Sequence, residues 1–582
     1  MIKLIKPVEQ ELNQRVSARQ LRKNATPLNV ANFRDEQRAK LASIQSHIKN
    51  QYPDLFGESA LLTHDKLISQ SRLKSLSNAA AESGLKLMQE ITTHHQHDFA
   101  DFYETIRYVV GEQNKRARAL LIEPPIDLGA KQPPTEGELE SAALKLVDPS
   151  WYMRRLMKLR GQYKEYCQIA LGYVGEQKHQ HKYVSRGAFN AWKENQRQMQ
   201  EYIKNMALLD EENGESISLE DAINSSTANP ENRRVEMMVR ARGFEELAED
   251  KGYTALFITW TLPSRFHRNS YKWDGSSPLD GQAELMKTWA RGRARLAKRE
   301  IDYFGFRVAE PHKDATPHAH YFLFCAPRDV ETIKAQLQDV ACKTDREELG
   351  DNTEARFKAV ECDPSKGGAT AYIAKYVSKN INGAYLAEDE NGQPLELAEA
   401  EKSAFSVRAW ASLFNIRQFQ QFGGASVSLW RVMRKAKPSQ TQFNEQLEAI
   451  RQAADSSKWS VFCELAQGVK LAYEQKDNQY KETIKRVIGF EWVSGVIQTA
   501  RECGLKLVPK AKAEGLLKAR SASTWSTENN CNHAIREQIK TVTGWSSAQL
   551  TEYVSPLLKG RIFIVDQYQT IKIRNGCLLV SN

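Results

Sequence analysis

The sequence predicts an α+β protein, in which a mostly antiparallel sheet flanked by helices follows a largely helical N-terminal region and precedes a small α/β C-terminal module. Three observations predict it. From Leu139 to about Asn205, apolar residues recur at helical spacing, as in SWYMRRLMKLRGQYKEYCQIAL (150–171). Runs rich in β-branched and aromatic residues become frequent only after Gly252. The chain then ends on another strand-like run, RIFIVDQYQTIKI (561–573).

With 582 residues the chain exceeds one compact core. Residues 1–122 read as polar-faced helices interrupted near Tyr52-Pro53, and EPPIDLGAKQPPTEGE (123–138) reads as a linker. A helical domain over 139–240 leads into a central domain over 241–438, with 439–582 as the terminal module. Within the central domain, TALFITWTLP (254–263) has the character of a buried strand. The run 281–301 is an amphipathic helix whose end is crowded with Arg291, Arg293, Arg295, Lys298 and Arg299. YFGFRVAE (303–310) and HAHYFLFCA (318–326) form a hairpin, helices follow at 329–342 and 368–380, and LAEDENGQPLELAEAE (386–401) is an acidic surface insertion.

Composition narrows the function without fixing it. Hydrophobic residues make up 41%, charged residues 26%, and mean hydropathy is -0.58, as in an ordinary water-soluble protein. No apolar run reaches bilayer length, and the opening segment lacks the apolar stretch of a secretion signal, so no membrane partner and a cytoplasmic location are expected. The eight cysteines occur singly and read as reduced thiols. Residues 1–250 hold 35 basic and 35 acidic side chains, so the net charge of +10 arises beyond residue 250, where an anionic partner is expected.

The chemistry concentrates in two segments. His318 and His320 are two apart in a strand, so both imidazoles leave the same face, roughly 6–7 Å apart at the backbone. A turn centred on Asp314 sets Glu310 opposite His318, with Cβ atoms about 5 Å apart. Two histidines and a carboxylate suit Mg²⁺ or Mn²⁺, and Zn²⁺ shares such ligands. His312 has the parity of Glu310 and competes with it as third ligand. His179-Gln180-His181 has the same spacing but lies among lysines with no strand pattern and reads as solvated, and His94 to His97 read as surface helix.

The second segment is GGATAYIAKYVSKN (367–380). On a helix, Tyr372, Tyr376 and Lys379 fall near one line with Lys375 beside them, opposite Ile373, Ala374 and Val377. Core tyrosines would instead share the aliphatic face. A phenol with pKa about 10 attacks poorly at neutral pH, so it needs an activated electrophile, which a nearby cation on a phosphodiester provides. Lys375 and Lys379 would hold adjacent phosphates or favour the phenolate. Attack leaves a 5′-phosphotyrosine and a free 3′-OH, and two tyrosines about 5–6 Å apart at Cβ permit a second transfer while the first stays loaded.

These residues resemble the HUH endonucleases, named for His-hydrophobic-His, and most closely the bacteriophage replication gene A protein family. The motifs that carry the resemblance are FITWTLPSRFH (257–267), RVAEPHKDATPHAHYFLF (307–324), YIAKYVSKNI (372–381) and RAWASLFNIRQFQQFGGASVSLWR (408–431), with NPENRRVEMMVRARGFEELAEDKGY (229–253) upstream. They cover roughly 215–435. The resemblance implies an HUH endonuclease domain, rolling-circle initiation by nicking phage or prophage origin DNA, covalent 5′ attachment, and use of the 3′-OH by a host DNA polymerase with a host helicase. It implies His318 and His320 as metal ligands and Tyr372 and Tyr376 as nucleophiles. Ala319 departs from the bulkier apolar residue usual between the histidines.

Other readings stay open. A plasmid relaxase or transposase shares this chemistry, and a non-catalytic origin-binding protein would use the histidines structurally. Phe322 stands where a histidine-triad hydrolase needs a third histidine. Arg291 and Arg295, with their basic neighbours, suit either a DNA backbone or a solvated helix face. Trp260, Trp410 and Phe419 suit either base stacking or core packing.

Overall fold

The computed structural model describes residues 27–94, 99, 101–210, 215–362, 368–381, 397–493, 495–499, 504–522, 538–545 and short stretches between 549 and 581. It divides into two compact units, Met1–Arg197 with Ser226–Arg501, and Gln198–Ser225 with Glu502–Asn582. The architecture is mixed helix and antiparallel sheet, in agreement with the α+β expectation. Among the described residues no helix is long and apolar enough to cross a membrane.

In the first unit, helices Pro27–Gln51, Gln70–His94, Phe102–Ala119, Glu136–Leu146 and Pro149–Ala170 bury Leu41, Leu73, Val110, Leu139, Tyr152 and Tyr166 together. Their starts are written locally. Pro53 ends the first helix by opening a 3₁₀ turn, Asp101 and Asp148 cap two later ones, and Thr135 and Glu138 form a reciprocal capping box.

A five-stranded antiparallel sheet occupies the middle of this unit. Its strands are β1 (Thr254–Trp260), β2 (Tyr303–Pro311), β3 (Pro317–Cys325), β4 (Phe357–Glu361) and β5 (Phe419–Phe422), in spatial order β4-β1-β3-β2-β5. Because side chains alternate, each strand serves two cores. Leu256, Ile258, Trp260, Ala319, Tyr321 and Leu323 face helices α2 (Pro278–Ala297) and α3 (Val330–Cys342). Phe304, Phe306, Val308, Phe322 and Phe324 face the opposite way, toward α1 (Pro230–Asp250) and α4 (Gly368–Ile381). Gly305 is required where β2 crosses β3, since a Cβ there would lie 1.8 Å from the Phe322 carbonyl oxygen. Further on, α5 (Leu397–Phe414) places Trp410 in the core, its indole N–H donating to the Ala315 carbonyl at 2.9 Å.

Helices Val427–Met433, Glu445–Asp455 and Trp459–Leu465 extend the core beneath α1, followed by a three-stranded sheet of Lys470–Asp477, Thr483–Trp492 and Gly495–Gln498. Residues 439–501, grouped with the C-terminal module on sequence, thus lie in the first unit. The described residues of the second unit include two three-stranded antiparallel sheets. One joins Met206–Asp210 to Glu215–Ser218 and Lys506–Pro509, and the other is formed by Phe563–Asp566, Gln569–Arg574 and Cys577–Ser581.

Two expectations change. Strands occur before Gly252, at 206–210 and 215–218; both runs are short and pair with each other, and the first also pairs with 506–509, about 300 positions away. His181 is half-buried rather than solvated: its Nδ1 lies 2.7 Å from the Val184 carbonyl and its ring packs on Phe189, while His179 is exposed. The acidic stretch 386–401, apart from the helix that begins at Leu397, and His95 to His97 fall outside the described residues.

Candidate metal centre and tyrosine helix

The β2–β3 hairpin turns about Asp314, as its spacing predicts. Glu310 pairs directly with His318 and Val308 with His320. The turn is closed by His312 N–H to Thr316 O at 2.7 Å and Ala315 N–H to His312 O at 2.9 Å, with Ala315 in the left-handed region and the Asp314 carboxylate accepting the Thr316 N–H. Even-numbered residues of both strands share one face, so Glu310, His318 and His320 end the row that begins with Phe304, Phe306, Phe322 and Phe324.

The three side chains converge. His318 Nε2 and His320 Nε2 are 3.0 Å apart, and Glu310 Oε2 lies 3.9 Å from the first and 3.7 Å from the second. Ligand atoms of all three fall within 4.8 Å of one another. Two nitrogens bound at right angles to one ion at about 2.1 Å would be about 3.0 Å apart, so the imidazole spacing fits a shared cation. Glu310 is fully buried and both histidines nearly so. Clustering a carboxylate with two imidazoles away from water is unfavourable unless charge is compensated there, which a divalent cation does. The donor set is hard oxygen with borderline nitrogen, compatible with Mg²⁺ or Mn²⁺ without choosing between them.

Glu310, not His312, completes this cluster among the described residues. The His312 ring instead packs tilted against His318, with centroids 4.1 Å apart, and meets His267 at 5.0 Å. His267 Nδ1 is 3.6 Å from Asp314 Oδ2. Burial works to raise the Asp314 carboxyl, but His267, His312 and the Thr316 N–H outweigh it and hold the group down at about 2.

Thr259, paired with His320 across β1 and β3, brings its hydroxyl to 3.2 Å from His320 Nδ1. With the proton on Nδ1, that contact leaves Nε2 as a lone-pair donor facing Glu310. Thr259 and His267 were missed on sequence. Both sit in FITWTLPSRFH, yet nothing in the segment reveals that β1 pairs with β3 in this register.

The helix α4 packs on the same face. Ile373 and Val377 are buried, Lys375 is exposed, and Tyr372 and Tyr376 are half-buried between them. Phe257 receives both tyrosine rings, at centroid distances of 5.5 and 5.6 Å, and stacks on His320 at 5.3 Å. The Tyr376 ring lies 4.3 Å from that of His320 and 5.8 Å from Phe322. At the helix start, the Glu245 carboxylate on α1 accepts the Ala369 N–H at 2.8 Å. The Lys379 side chain lies outside the described residues.

Arg291 and Arg295 are not brought to this site. Both belong to α2, whose Leu285, Trp289 and Leu296 cover the other face of the sheet; Arg291 is exposed and Arg295 pairs with Asp339 on α3. Trp260 and Trp410 are core residues at 2% and 0% exposure. Ala319 points away from the histidines and pairs with Trp260, so the small residue leaves room for the indole.

Comparison with known proteins identifies the family. Residues 71–384 match the family model described as bacteriophage replication gene A protein. The chain is 39% identical to the "Probable replication protein P12" of Pseudoalteromonas phage PM2 over 68% of this chain and 62% of that protein. It is 38% identical to the "Replication gene A protein" of Escherichia phage 186 over 68% of this chain and 60% of that one. A "Probable replication endonuclease from prophage-like region" of Salmonella typhimurium is 32% identical over 70% of this chain and 54% of its own length. Each match spans less than two thirds of the relative. No solved structure matches the chain. With its model matched over more than half of the sequence, the chain belongs to the bacteriophage replication gene A protein family.

Proposed function

We propose that this chain is a metal-dependent, site-specific DNA endonuclease that initiates rolling-circle replication of phage or prophage DNA. It nicks one strand at the origin and keeps the 5′ end on a tyrosine. The observation that carries the reading is the Tyr376 ring at 4.3 Å from His320, which sets a phenol beside the Glu310, His318 and His320 cluster. The relatives' names, replication gene A protein and replication endonuclease, support it.

Glu310, His318 and His320 would hold Mg²⁺ or Mn²⁺. A cation held by these three residues would supply Lewis-acid polarisation of the scissile phosphate and would offset charge in the transition state. The tyrosine hydroxyl gives up its proton to solvent as its oxygen attacks phosphorus and forms the P–O bond. The bond to the 3′ oxygen breaks, and that oxygen takes up a proton to become the 3′-OH. Because one ester replaces another, the strand can later be rejoined.

The remaining residues orient the reactants. Phe257 and Phe322 wall the tyrosine rings, restricting their rotamers, and Thr259 fixes the His320 ring. Lys375, exposed beside the tyrosines, suits a neighbouring phosphate. Tyr372 and Tyr376 lie one turn apart, so one can stay loaded while the other cleaves. The 3′-OH would then serve a host polymerase working with a host helicase, in the cytoplasm of the bacterial host.

The test mixes purified protein with supercoiled DNA of the parent phage or prophage and Mn²⁺. Open circles with protein bound covalently at the 5′ end are expected, and EDTA should prevent both. A relaxed product without protein attached, or no nick at all, would overturn the reading.

A further inference from the structure

The segment that leaves β1 lies against the hairpin tip. His267 meets His312 and Asp314 there, and the Asn269 N–H stands 3.5 Å from Asp314 Oδ2. Three aromatics punctuate this segment. Phe266 and Trp273 are 6% and 9% exposed and belong to two separate cores, whereas Tyr271 between them is 93% exposed.

An exposed loop aromatic is often an accident of a flexible tip. This one is held at both ends by its buried neighbours. The turn between them is bonded throughout, from Ser270 N–H to His267 O at 2.9 Å, Trp273 N–H to Ser270 O at 3.2 Å, and Asp274 N–H to Arg265 O at 3.1 Å. Such a frame presents the phenol to solvent.

The surroundings are polar and cationic. Ser264 to Trp273 contains Arg265, Arg268 and Lys272 and no carboxylate of its own; Arg265 is taken up by Asp274 and Asp345, each at 2.9 Å, which leaves Arg268 and Lys272 as the cations nearest the ring. The Arg268 guanidinium lies over the Trp273 ring at 5.0 Å while its Nε donates to the Ala170 carbonyl at 2.8 Å. The Lys272 ammonium is 5.9 Å from the Tyr271 ring centroid and 3.8 Å from Glu348. A protein-docking surface would need a contiguous apolar patch, but Tyr271 is flanked by Asn269, Ser270 and Asp274. One flat ring among cations is instead the pattern of a single-strand platform, where bases stack on aromatics and phosphates meet basic side chains.

We infer that Tyr271 stacks on a nucleobase of the single strand entering or leaving the metal centre, with Arg268 and Lys272 beside the flanking phosphates. The identity of that strand rests on the nickase reading. Tyr271 lies four positions beyond His267, a span of at most about 14 Å, and His267 reaches His318 through the His312 ring by contacts of 5.0 and 4.1 Å, so the stacked base lies within a few nucleotides of the scissile phosphate. Stacking tolerates any base, so this contact supplies grip and orientation rather than sequence readout.

The test measures binding of the full chain to a labelled single-stranded oligonucleotide by fluorescence anisotropy, without divalent metal so that nothing is cleaved. Tyr271→Ala should weaken binding about tenfold or more, the range for losing one base–aromatic stack. Tyr271→Phe and Tyr271→Trp should stay within about twofold of the parent, since only the π-face is needed. Tyr473→Ala, at another exposed tyrosine, should change nothing. A 2-aminopurine base near the nick should lose its quenching with Tyr271→Ala and keep it with Tyr271→Phe. Tyr271→Ala should also melt at the parent temperature. Parent-like binding by Tyr271→Ala, or an equal loss with Tyr473→Ala, would overturn the inference. Covalent adduct formation with Mn²⁺ is scored separately, so failure of the nickase reading would show there while the stacking contact is still judged by anisotropy.

Discussion

The two faces of the central sheet are built from the same strands and differ in what their last residues do. Toward α2 and α3, β1 and β3 present Leu256, Ile258, Trp260, Ala319, Tyr321 and Leu323, an apolar layer into which β2 adds one buried cation, Arg307, bonded to the Arg417 carbonyl. Toward α1 and α4, the same strands present Phe257, Phe322 and Phe324, then Thr259, His320 and His318, with Glu310 from β2. One face packs throughout. The other packs for most of its length and then gathers three ionisable groups and two half-buried tyrosines. Alternation alone separates them, so a one-residue slip of β3 would bury Tyr321 where His320 now stands and remove the site.

The largest effect expected from this difference is chemical. Tyr372→Phe with Tyr376→Phe keeps both rings against Phe257 but removes both hydroxyls. Covalent adduct on a single-stranded origin oligonucleotide should fall by about 10³-fold or more. Of the single variants, Tyr376→Phe should lose more, because its ring is the one against His320. Adducts that survive in the double variant would place the nucleophile elsewhere and end the distinction between the faces.

The packing face should fail differently. Trp289 is 2% exposed, with its ring 4.3 Å from that of Tyr321. Trp289→Ala should destabilise by about 3–5 kcal/mol in denaturant unfolding. Folded protein should keep its Mn²⁺ affinity, measured calorimetrically at low temperature. A parallel loss of metal binding would mean that the faces are coupled through the sheet.

Much of the site face was legible in the sequence because it depends on local periodicity. The hairpin follows from two strand-like runs and a short turn, and the pairing of Glu310 with His318 follows from its centre. The side of α4 that packs inward follows from Ile373 and Val377. What was not legible depends on partners distant in the chain. β5 is four residues, FQQF, without an alternating pattern, and becomes a strand only because β2 offers an open edge. Met206–Asp210 pairs with Lys506–Pro509 for the same kind of reason. Helix α2 is amphipathic whichever face of the sheet it covers, so its own residues could not tell whether Arg291 lies near the histidines or behind them. Thr259 needed the register of β1 on β3.

Glu310→Gln tests the cost of the polar end directly. Losing a carboxylate ligand should weaken Mn²⁺ binding by more than about 100-fold, beyond what loss of an outer-shell contact gives. In EDTA, however, the same substitution removes a fully buried charge, and the melting temperature should hold or rise. That pairing of weaker metal binding with undiminished apo stability has no counterpart on the packing face. A large drop in apo stability would make Glu310 a structural residue and return His312 to consideration as the third ligand.

The smallest expected effect concerns the arginines of α2. Arg295 pairs with Asp339 at the protein surface, the two side chains being 36% and 64% exposed, and such pairs contribute about 0–1 kcal/mol. Arg291 is exposed on the same helix. If the strand is bound only on the tyrosine face, Arg291→Ala with Arg295→Ala should leave origin binding and its salt dependence unchanged. Each phosphate contact adds close to one unit to the slope of log affinity against log salt on duplex DNA, so two lost contacts would lower it by nearly two. A slope that falls by that amount would show the duplex wrapping from one face of the sheet to the other. The packing face would then be part of the DNA-binding surface as well as the support of the site.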